Sequence, residues 1–191
     1  CISGNGFLDS KGEKDFMHNE RIFIETERLV LREMGQQDFD SLCKILQDKD
    51  VMYAYEGAFT NKETQDWLDK QIMRYKEDGF GLNAVILKEN GNMIGQCGLT
   101  RQDIPGKKVV ETGYLFQKKY WHKGYATEAA KACNKYAFNV LGVDEVYSII
   151  RDNNIASQNV AERNGMVKCG TFVKHYKGID MPHYIFVARK E

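Results

Sequence analysis

Residues 117–127 have the composition of a turn that binds a phosphate group. They follow a segment of strand character (109–116) and lead into a helical one (127–141). The first N–H groups of a helix have no intrahelical acceptor, and together with the positive end of the helix dipole they attract anions. Gly124 and Ala126 are small enough for an anion to approach the main chain closely. The stretch therefore indicates a phosphate or pyrophosphate site. The alternative is an ordinary strand-to-helix loop whose lysines keep it soluble.

The composition is that of a folded globular protein. The chain of 191 residues is 42% hydrophobic and 28% charged, which suits one domain with a buried core. Its 27 Lys and Arg residues balance 27 Asp and Glu residues, so we expect no nucleic-acid partner. No apolar run approaches the roughly 20 residues that a membrane helix needs, so we expect no membrane partner.

The cysteines and histidines stand singly along the chain, without the spacing of metal ligands. They are Cys1, Cys43, Cys97, Cys133 and Cys169, with His18, His122, His175 and His183. This distribution favours free thiols in a reducing cytoplasm over a disulfide framework or a metal site. We therefore expect a cytoplasmic protein without a metal, and we predict that the histidines are surface residues.

Hydrophobic periodicity predicts seven strands and four helices in the order β-α-α-β-β-β-α-β-α-β-β. Two local signals are strong: residues 60–63 form a capping box, and Asn90-Gly91 is typical of a hairpin turn. The predicted strands are 28–34, 82–87, 93–100, 109–116, 146–150, 166–176 and 183–188, and the helices are about 39–46, 61–78, 123–141 and 154–164. The order predicts a mixed α/β (α+β) protein whose sheet has helices on both faces.

Four segments in this order resemble the GNAT superfamily of N-acetyltransferases, in the branch that includes the ribosomal-protein N-terminal acetyltransferases RimJ and RimL. The segments are 27–32, 111–114, 120–129 and 154–166. The resemblance covers residues 22–190 as one domain and leaves 1–21 as a leader or extension, with Met17 a possible natural start. It implies a mostly antiparallel twisted sheet of about seven strands, splayed between the fourth and fifth.

The resemblance also implies that the chain uses acetyl-CoA, with its pyrophosphate on the main chain of the turn and its pantetheine arm along the fourth predicted strand. Trp121 and His122 depart from the superfamily pattern, which has Arg or Gln and often glycine at these positions. The implied coenzyme-binding residues are Phe116, Gln117, Lys118, Trp121, His122, Lys123, Gly124, Tyr125, Ala126, Thr127, Asn154 and Asn159. The alternatives are that the lysines form a solvated face, that Asn154 caps a helix and that Asn159 faces solvent.

Two residues are implied in catalysis. Glu111 would accept the proton of the acceptor amine, because a free amine is mostly protonated at neutral pH. Its alternatives are an outward-facing strand residue or an anchor for the substrate amine. Many relatives have a tyrosine that acts as general acid where this chain has Ala161. Ser157 is therefore the candidate that protonates the leaving thiolate. The alternatives are that solvent supplies the proton and that Ser157 only satisfies the helix start. A main-chain N–H near Phe116 would stabilise the oxyanion.

The acceptor is expected to be a primary amine, either a protein N-terminal α-amine (possibly ribosomal) or a small molecule. Its pocket is predicted to include Tyr53, Tyr55, Glu56 and Tyr176, where acidic groups would attract a cation. The alternative is that these aromatics only pack the loop. Two other functions stay open: a catalytically silent acyl-CoA-binding module and a phosphate-ligand enzyme unrelated to acyl transfer. Exposed sheet edges would permit a monomer or a homodimer.

Overall fold

An eight-stranded sheet with helices on both faces organises the protein, as a computed structural model describes it for residues 21–55, 57–176 and 178–190. The strands are β1 (Ile22–Glu25), β2 (Leu29–Arg32), β3 (Leu82–Leu87), β4 (Met93–Ile104), β5 (Lys107–Phe116), β6 (Glu145–Arg151), β7 (Val167–Tyr176) and β8 (Ile179–Arg189). The helices are α1 (Phe39–Leu46), α2 (Asn61–Glu77), α3 (Tyr125–Asn139) and α4 (Ile155–Arg163). The predicted leader, 1–21, lies outside the described residues except for Arg21.

The strand order is β1-β2-β3-β4-β5-β6-β8-β7, and every neighbouring pair is antiparallel except β5 and β6. The mixed, mostly antiparallel sheet confirms the predicted fold class. The prediction of about seven strands misses β1, because its four residues are too few to show a period of two.

The hairpin of β4 and β5 extends further than the sequence pattern indicated. The two strands are joined only by Pro105 and Gly106, and Gly106 has φ 85°, which a glycine adopts without strain. The prediction ended β4 at Thr100 and began β5 at Val109. It missed the extension because residues 101–108 are mostly exposed and polar and so carry no apolar alternation.

The core lies on both faces of the sheet. On one face, the small side chains of α3, including Ala130 and Cys133, pack against apolar residues of β2 to β5. On the other face, α1 and α2 contribute residues such as Leu42 and Leu68 to a second cluster. Small residues let α3 approach the sheet closely, and this places the first turn of α3 at the sheet surface.

Helix starts are set by local chemistry. Thr60 caps α2, because its hydroxyl accepts from the Glu63 N–H at 3.2 Å and the Glu63 carboxylate accepts from the Thr60 N–H at 2.8 Å. Asn154 caps α4 by accepting from the Ser157 N–H at 3.1 Å. α3 begins at Tyr125, two residues later than predicted, because Gly124 precedes it at φ 80°, outside the helical region.

β5 and β6 diverge after a single ladder pair, Glu111 with Tyr147. Every other pair of neighbouring strands is joined at three or more positions. The sheet is therefore open between these two strands over the rest of β5, at the place where the resemblance implies a splay. In the described part of the chain, no helix has the length and apolar character to cross a membrane.

Two glycines that face each other in the β4–β5 ladder, Gly98 and Gly113, test the packing. A Cβ at Gly98 would collide with the Gly81 carbonyl oxygen and lie 2.9 Å from Leu82 Cα, whereas a Cβ at Gly113 would meet only Leu82 Cδ2 at 3.5 Å. We expect Gly98→Ala to lower the free energy of unfolding by about 2 to 3 kcal/mol. Gly113→Ala should be neutral or stabilise by about 0.5 kcal/mol. Urea unfolding measures both, and equal losses would contradict this account of the packing.

Candidate active site

Side chains replace the missing ladder bonds where β5 and β6 separate. The Ser148 hydroxyl donates to the Thr112 carbonyl at 2.9 Å, and the Ile149 N–H donates to Glu111 Oε1 at 3.1 Å. Further along β5, the Phe116 carbonyl accepts from Trp121 Nε1 at 2.9 Å. The strand therefore runs past the opening with its edge facing a gap instead of a neighbouring strand.

A cleft of about 870 Å³ opens at this gap. Its walls come from the 51–59 loop, α2, β4, β5, β6, the start of α4 and the β7–β8 hairpin. The lining includes Tyr55, Glu111, Tyr114, Ser157, Tyr176 and His183. Both predicted catalytic residues and two of the predicted acceptor-site residues thus line one cleft.

Glu111 lies at the inner wall of the cleft. One carboxylate oxygen is held by the Ile149 N–H, and the other is 3.4 Å from the Thr100 hydroxyl. Burial raises the pKa of the Glu111 carboxyl above its ordinary value, and the charge of Lys174, these two hydrogen bonds and the charge of Arg74 oppose that rise in part. A fixed carboxylate with a raised pKa has the properties of a general base.

The main-chain N–H and carbonyl groups of Ser157 are both hydrogen bonded at the start of α4. Its N–H donates to the Asn154 side chain at 3.1 Å, and its carbonyl accepts from the Tyr114 hydroxyl at 2.8 Å. The helix-start contact therefore uses the Ser157 N–H, not its hydroxyl. Tyr114 stays protonated, because burial raises its pKa above the ordinary value.

The predicted phosphate-binding turn presents a run of N–H groups. The Glu128 N–H donates to the Gly124 carbonyl at 3.0 Å, but the six N–H groups of 122–127 have no acceptor among the described residues. His122 and Gly124 both have left-handed backbones, at φ 61° and φ 80°. Such a run of N–H groups in a turn with left-handed residues forms a concave anion site.

A clamp from the start of β2 holds this turn. Arg28 Nε donates to Glu128 Oε2 at 2.7 Å, and Arg28 Nη1 donates to the Lys123 carbonyl at 3.0 Å. The Arg28 guanidinium also lies 4.5 Å from the Tyr125 ring centre. The Thr26 hydroxyl adds a 2.7 Å bond to Glu128 Oε1. These contacts fix α3 and its turn relative to the sheet.

The other predicted coenzyme-binding residues have varied environments. Gln117 is buried, and both its main-chain N–H and its side-chain amide donate to carbonyls of β4 residues, so it supports the sheet. Lys118 forms an exposed ion pair with Asp50 at 2.5 Å. Asn154 Oδ1 accepts from both the Ser157 N–H and the Tyr53 hydroxyl. Asn159 is exposed on α4.

The predicted acceptor residues divide in the same way. Tyr55 and Tyr176 line the cleft, whereas Tyr53 lies outside the lining and donates to Asn154 at 3.1 Å. Arg151 holds this loop from β6 by donating to the Tyr55 carbonyl at 3.3 Å. Glu56 lies outside the described residues.

Sequence reasoning missed several groups near the site. His183 was predicted at the surface, but it is only 9% exposed and lines the cleft, because β8 carries it inward; the prediction was wrong. Burial lowers the pKa of His183 below its ordinary value, so the ring is neutral near pH 7. Lys131 and Arg163 line a groove beside the turn with His122, where they add positive charge. The positions of Lys131 and Arg163 in the sequence give no indication that either side chain lies beside the turn.

Gly124 gives the sharpest test of the turn. Gly124→Ala should lower the free energy of unfolding by about 1 to 2 kcal/mol, because an L-residue is strained at φ 80°. It should also weaken binding of coenzyme A, because the N–H groups move. Gly106→Ala is the matched control: it carries a similar strain at φ 85° in the distant β4–β5 turn and should leave affinity unchanged. Calorimetric titration and thermal unfolding measure both effects, and equal affinities for the two variants would contradict the assignment.

The chain is similar in sequence to known acetyltransferases. A family model described as an acetyltransferase (GNAT) domain matches residues 28–167. The Bacillus subtilis protein YkkB is 36% identical over 164 residues, which are 84% of this chain and 94% of YkkB.

Two solved structures share the fold. A GNAT-family acetyltransferase from Bacillus anthracis superposes with a TM-score of 0.75 at 27% identity, covering 88% of this chain and 98% of that one. RimL, a ribosomal α-N-protein acetyltransferase solved with coenzyme A, has a TM-score of 0.74 over 88% of this chain and 98% of its own, but at 15% identity it shows the fold alone. From the family match and these relatives, the chain belongs to the GNAT family of acetyltransferases.

Proposed function

We propose that this acetyltransferase moves the acetyl group of acetyl-CoA to a primary amine by direct attack in a ternary complex, with Glu111 as general base and Ser157 as general acid. The observation that carries the proposal is that both side chains line one cleft at the splay of β5 and β6. The amine attacks the thioester carbon, a C–N bond forms, and the C–S bond breaks. Glu111 takes the amine proton, and Ser157 gives a proton to the departing sulfur and regains one from solvent.

The fit to coenzyme A rests on two features of the chain. The six N–H groups of the turn at 122–127 have no acceptor in the part of the chain that the structure describes, which suits a pyrophosphate. The edge of β5 that faces the splay can pair with the amide groups of the extended pantetheine arm, as it would pair with a further strand. Bound acetyl-CoA would supply the activated thioester. Within the described residues, no group of three or more potential metal ligands lies close together.

Two classes of acceptor fit the family, a protein N-terminal α-amine and a small-molecule amine. We propose the RimJ/RimL-like branch because RimL, which acetylates a protein α-amine, has the same fold as this chain. We also propose that the reaction takes place in the cytoplasm. The cysteines stand singly in the sequence, without the spacing of a disulfide framework, which suits a reducing compartment.

Replacement of Glu111 by glutamine should lower kcat by about a hundredfold. In the wild type, kcat/KM should rise with pH as Glu111 loses its proton, and the midpoint should lie above the ordinary carboxyl pKa, since burial raises it. This acidic limb should vanish in Glu111→Gln. Steady-state kinetics across the pH range measure both effects, and an unchanged limb in the variant would assign the base elsewhere.

Stability supplies the control for that variant. A carboxyl whose folded-state pKa is raised stabilises the fold fully only below its unfolded-state pKa, and this contribution is lost as pH rises through the folded-state pKa. Glu111→Gln removes that buried charge and keeps an oxygen for the Ile149 N–H, so it should not lower stability at pH 7. Glu111→Ala loses the acceptor and should cost about 1 to 3 kcal/mol.

Ser157→Ala separates the proposed acid from the helix start. The substitution keeps both main-chain hydrogen bonds of residue 157 and removes only the hydroxyl. We expect kcat to fall by about tenfold, which is a modest loss because a thiolate leaves more easily than an amine. Thermal stability should be unchanged. Asn154→Ala is the contrasting variant and should cost about 1 kcal/mol of stability through the lost cap. Full activity in Ser157→Ala would assign thiolate protonation to solvent.

A further inference from the structure

Among the residues that the structure describes, the walls of the cleft carry more positive than negative charge. Four cationic side chains line it, contributed by α2, β6 and β7, and they are Lys70, Arg74, Arg151 and Lys174. Three acidic side chains line it, and they are Glu63, Asp66 and Glu111. The sequence had instead predicted that acidic groups would attract a cationic acceptor. The described lining instead favours an acceptor that is anionic apart from its amine.

The acidic side chains are already engaged by the protein. Asp66 forms an ion pair with Lys62 at 2.6 Å, and the Glu63 carboxylate accepts from the Thr60 N–H and hydroxyl in the capping box. Glu111 accepts from the Ile149 N–H and is the proposed base. Of the described carboxylates in the cleft, only Glu111 is therefore expected to meet the acceptor, and its task is to hold the amine.

The cations are not engaged in this way. Among the described residues, none of Lys70, Arg74, Arg151 and Lys174 has a carboxylate within 4.0 Å. Arg151 donates to main-chain carbonyls of the 51–59 loop. Arg74 Nη1 donates to the neutral Gln71 side chain at 3.2 Å, which holds the guanidinium beside β3. Uncompensated cations in a concave site attract an anionic ligand.

Two of these cations lie close enough to Glu111 to act on it. Lys174 and Arg74 reach the cleft from different elements, β7 and α2, and the charge of each lowers the pKa of Glu111 against the larger effect of burial. The charge of Lys174 also helps to lower the pKa of His183. The amine-binding carboxylate is thus under the influence of two positive charges that line the same cleft.

We propose that the acceptor is a small primary amine that carries its own anionic group close to the nitrogen, and that Arg74 and Lys174 bind this group while Glu111 receives the amine. The inference rests on the proposed function and narrows its acceptor. An amino acid, with a carboxylate, and an aminoalkyl phosphate share this chemistry. A polyamine or a multiply cationic aminoglycoside meets repulsion at the same walls.

Matched acceptor pairs test the proposal directly: leucine against leucinamide for a carboxylate, and phosphoethanolamine against ethanolamine for a phosphate. Each pair differs chiefly in the anionic group, and the less basic amine of leucinamide would be favoured by chemistry alone. We expect kcat/KM for at least one anionic member to exceed that of its neutral partner by about a hundredfold. Assays run at a pH above the acidic limb exclude shifts in the ionisation of Glu111.

Variants assign the preference to residues. Lys174→Gln, at an exposed position, should lower kcat/KM for the anionic acceptor about tenfold through KM and should lower kcat/KM for the neutral acceptor far less. Arg74→Gln should do the same, and Arg74→Lys should restore part of the preference. Lys76→Gln is the matched control, since it removes a charge from α2 outside the cleft lining. Coenzyme A affinity, measured by calorimetry, should be the same in all four variants.

The outcomes separate this inference from the proposed function. Acetylation of neutral amines, polyamines or peptide N-termini as fast as of anionic amines would overturn the inference and leave the acetyltransferase reaction standing. A preference that persists in both Lys174→Gln and Arg74→Gln would overturn the assignment of the anion site. Failure to acetylate any amine, with coenzyme A still bound, would overturn both the inference and the reaction.

Discussion

The separation of β5 from β6 is the constraint on which the rest of the site depends. Each ladder pair that a sheet gives up leaves N–H and C=O groups that need other partners, and a buried group without one costs about 1 to 3 kcal/mol. Here the Ser148 hydroxyl and the Glu111 carboxylate supply those partners within two residues of the only ladder pair. The strands can therefore diverge at once, and the cleft occupies the space between them.

Glu111 bonds to β6 where the two strands separate, so the fold fixes the position of its carboxylate. The residue therefore has a structural role as well as its proposed catalytic one. The bond to the Ile149 N–H holds one carboxylate oxygen, while the partner of the other, Thr100, is a distant 3.4 Å away. A carboxylate held on one side and weakly bonded on the other can take a proton without losing its structural bond. Positioning by the sheet and a raised pKa thus come from the same burial.

The sequence predicted those parts of the fold that local patterns determine. The capping box of α2, the Asn90-Gly91 turn and the helical face of α3 each depend on residues near in sequence, and each is present. What it could not predict depends on distant neighbours. The inward position of His183 follows from the β6–β8 pairing, and the positive charge of the described cleft lining follows from bringing residues of α2 and β7 to the same cleft.

The four sequence segments that suggested the family form two contacts in three dimensions. Arg28, in segment 27–32, clamps Glu128 of segment 120–129, and the Tyr114 hydroxyl of segment 111–114 donates to Ser157 of segment 154–166. A left-handed non-glycine residue such as His122 costs about 1 to 3 kcal/mol and persists only where its surroundings hold it. The Arg28 clamp provides that hold through the Lys123 carbonyl, the next residue along.

The second contact ties the other two segments to the splay in the same manner. Tyr114 lies on β5, and its hydroxyl donates to the Ser157 carbonyl across the gap. This bond fixes the distance between the free edge of β5 and the start of α4. The hydroxyl of Ser157 is left out of this bond, as it is left out of the helix cap. The two contacts therefore hold the frame of the site, while the N–H groups of the turn and the Ser157 hydroxyl take no part in them and can meet a ligand.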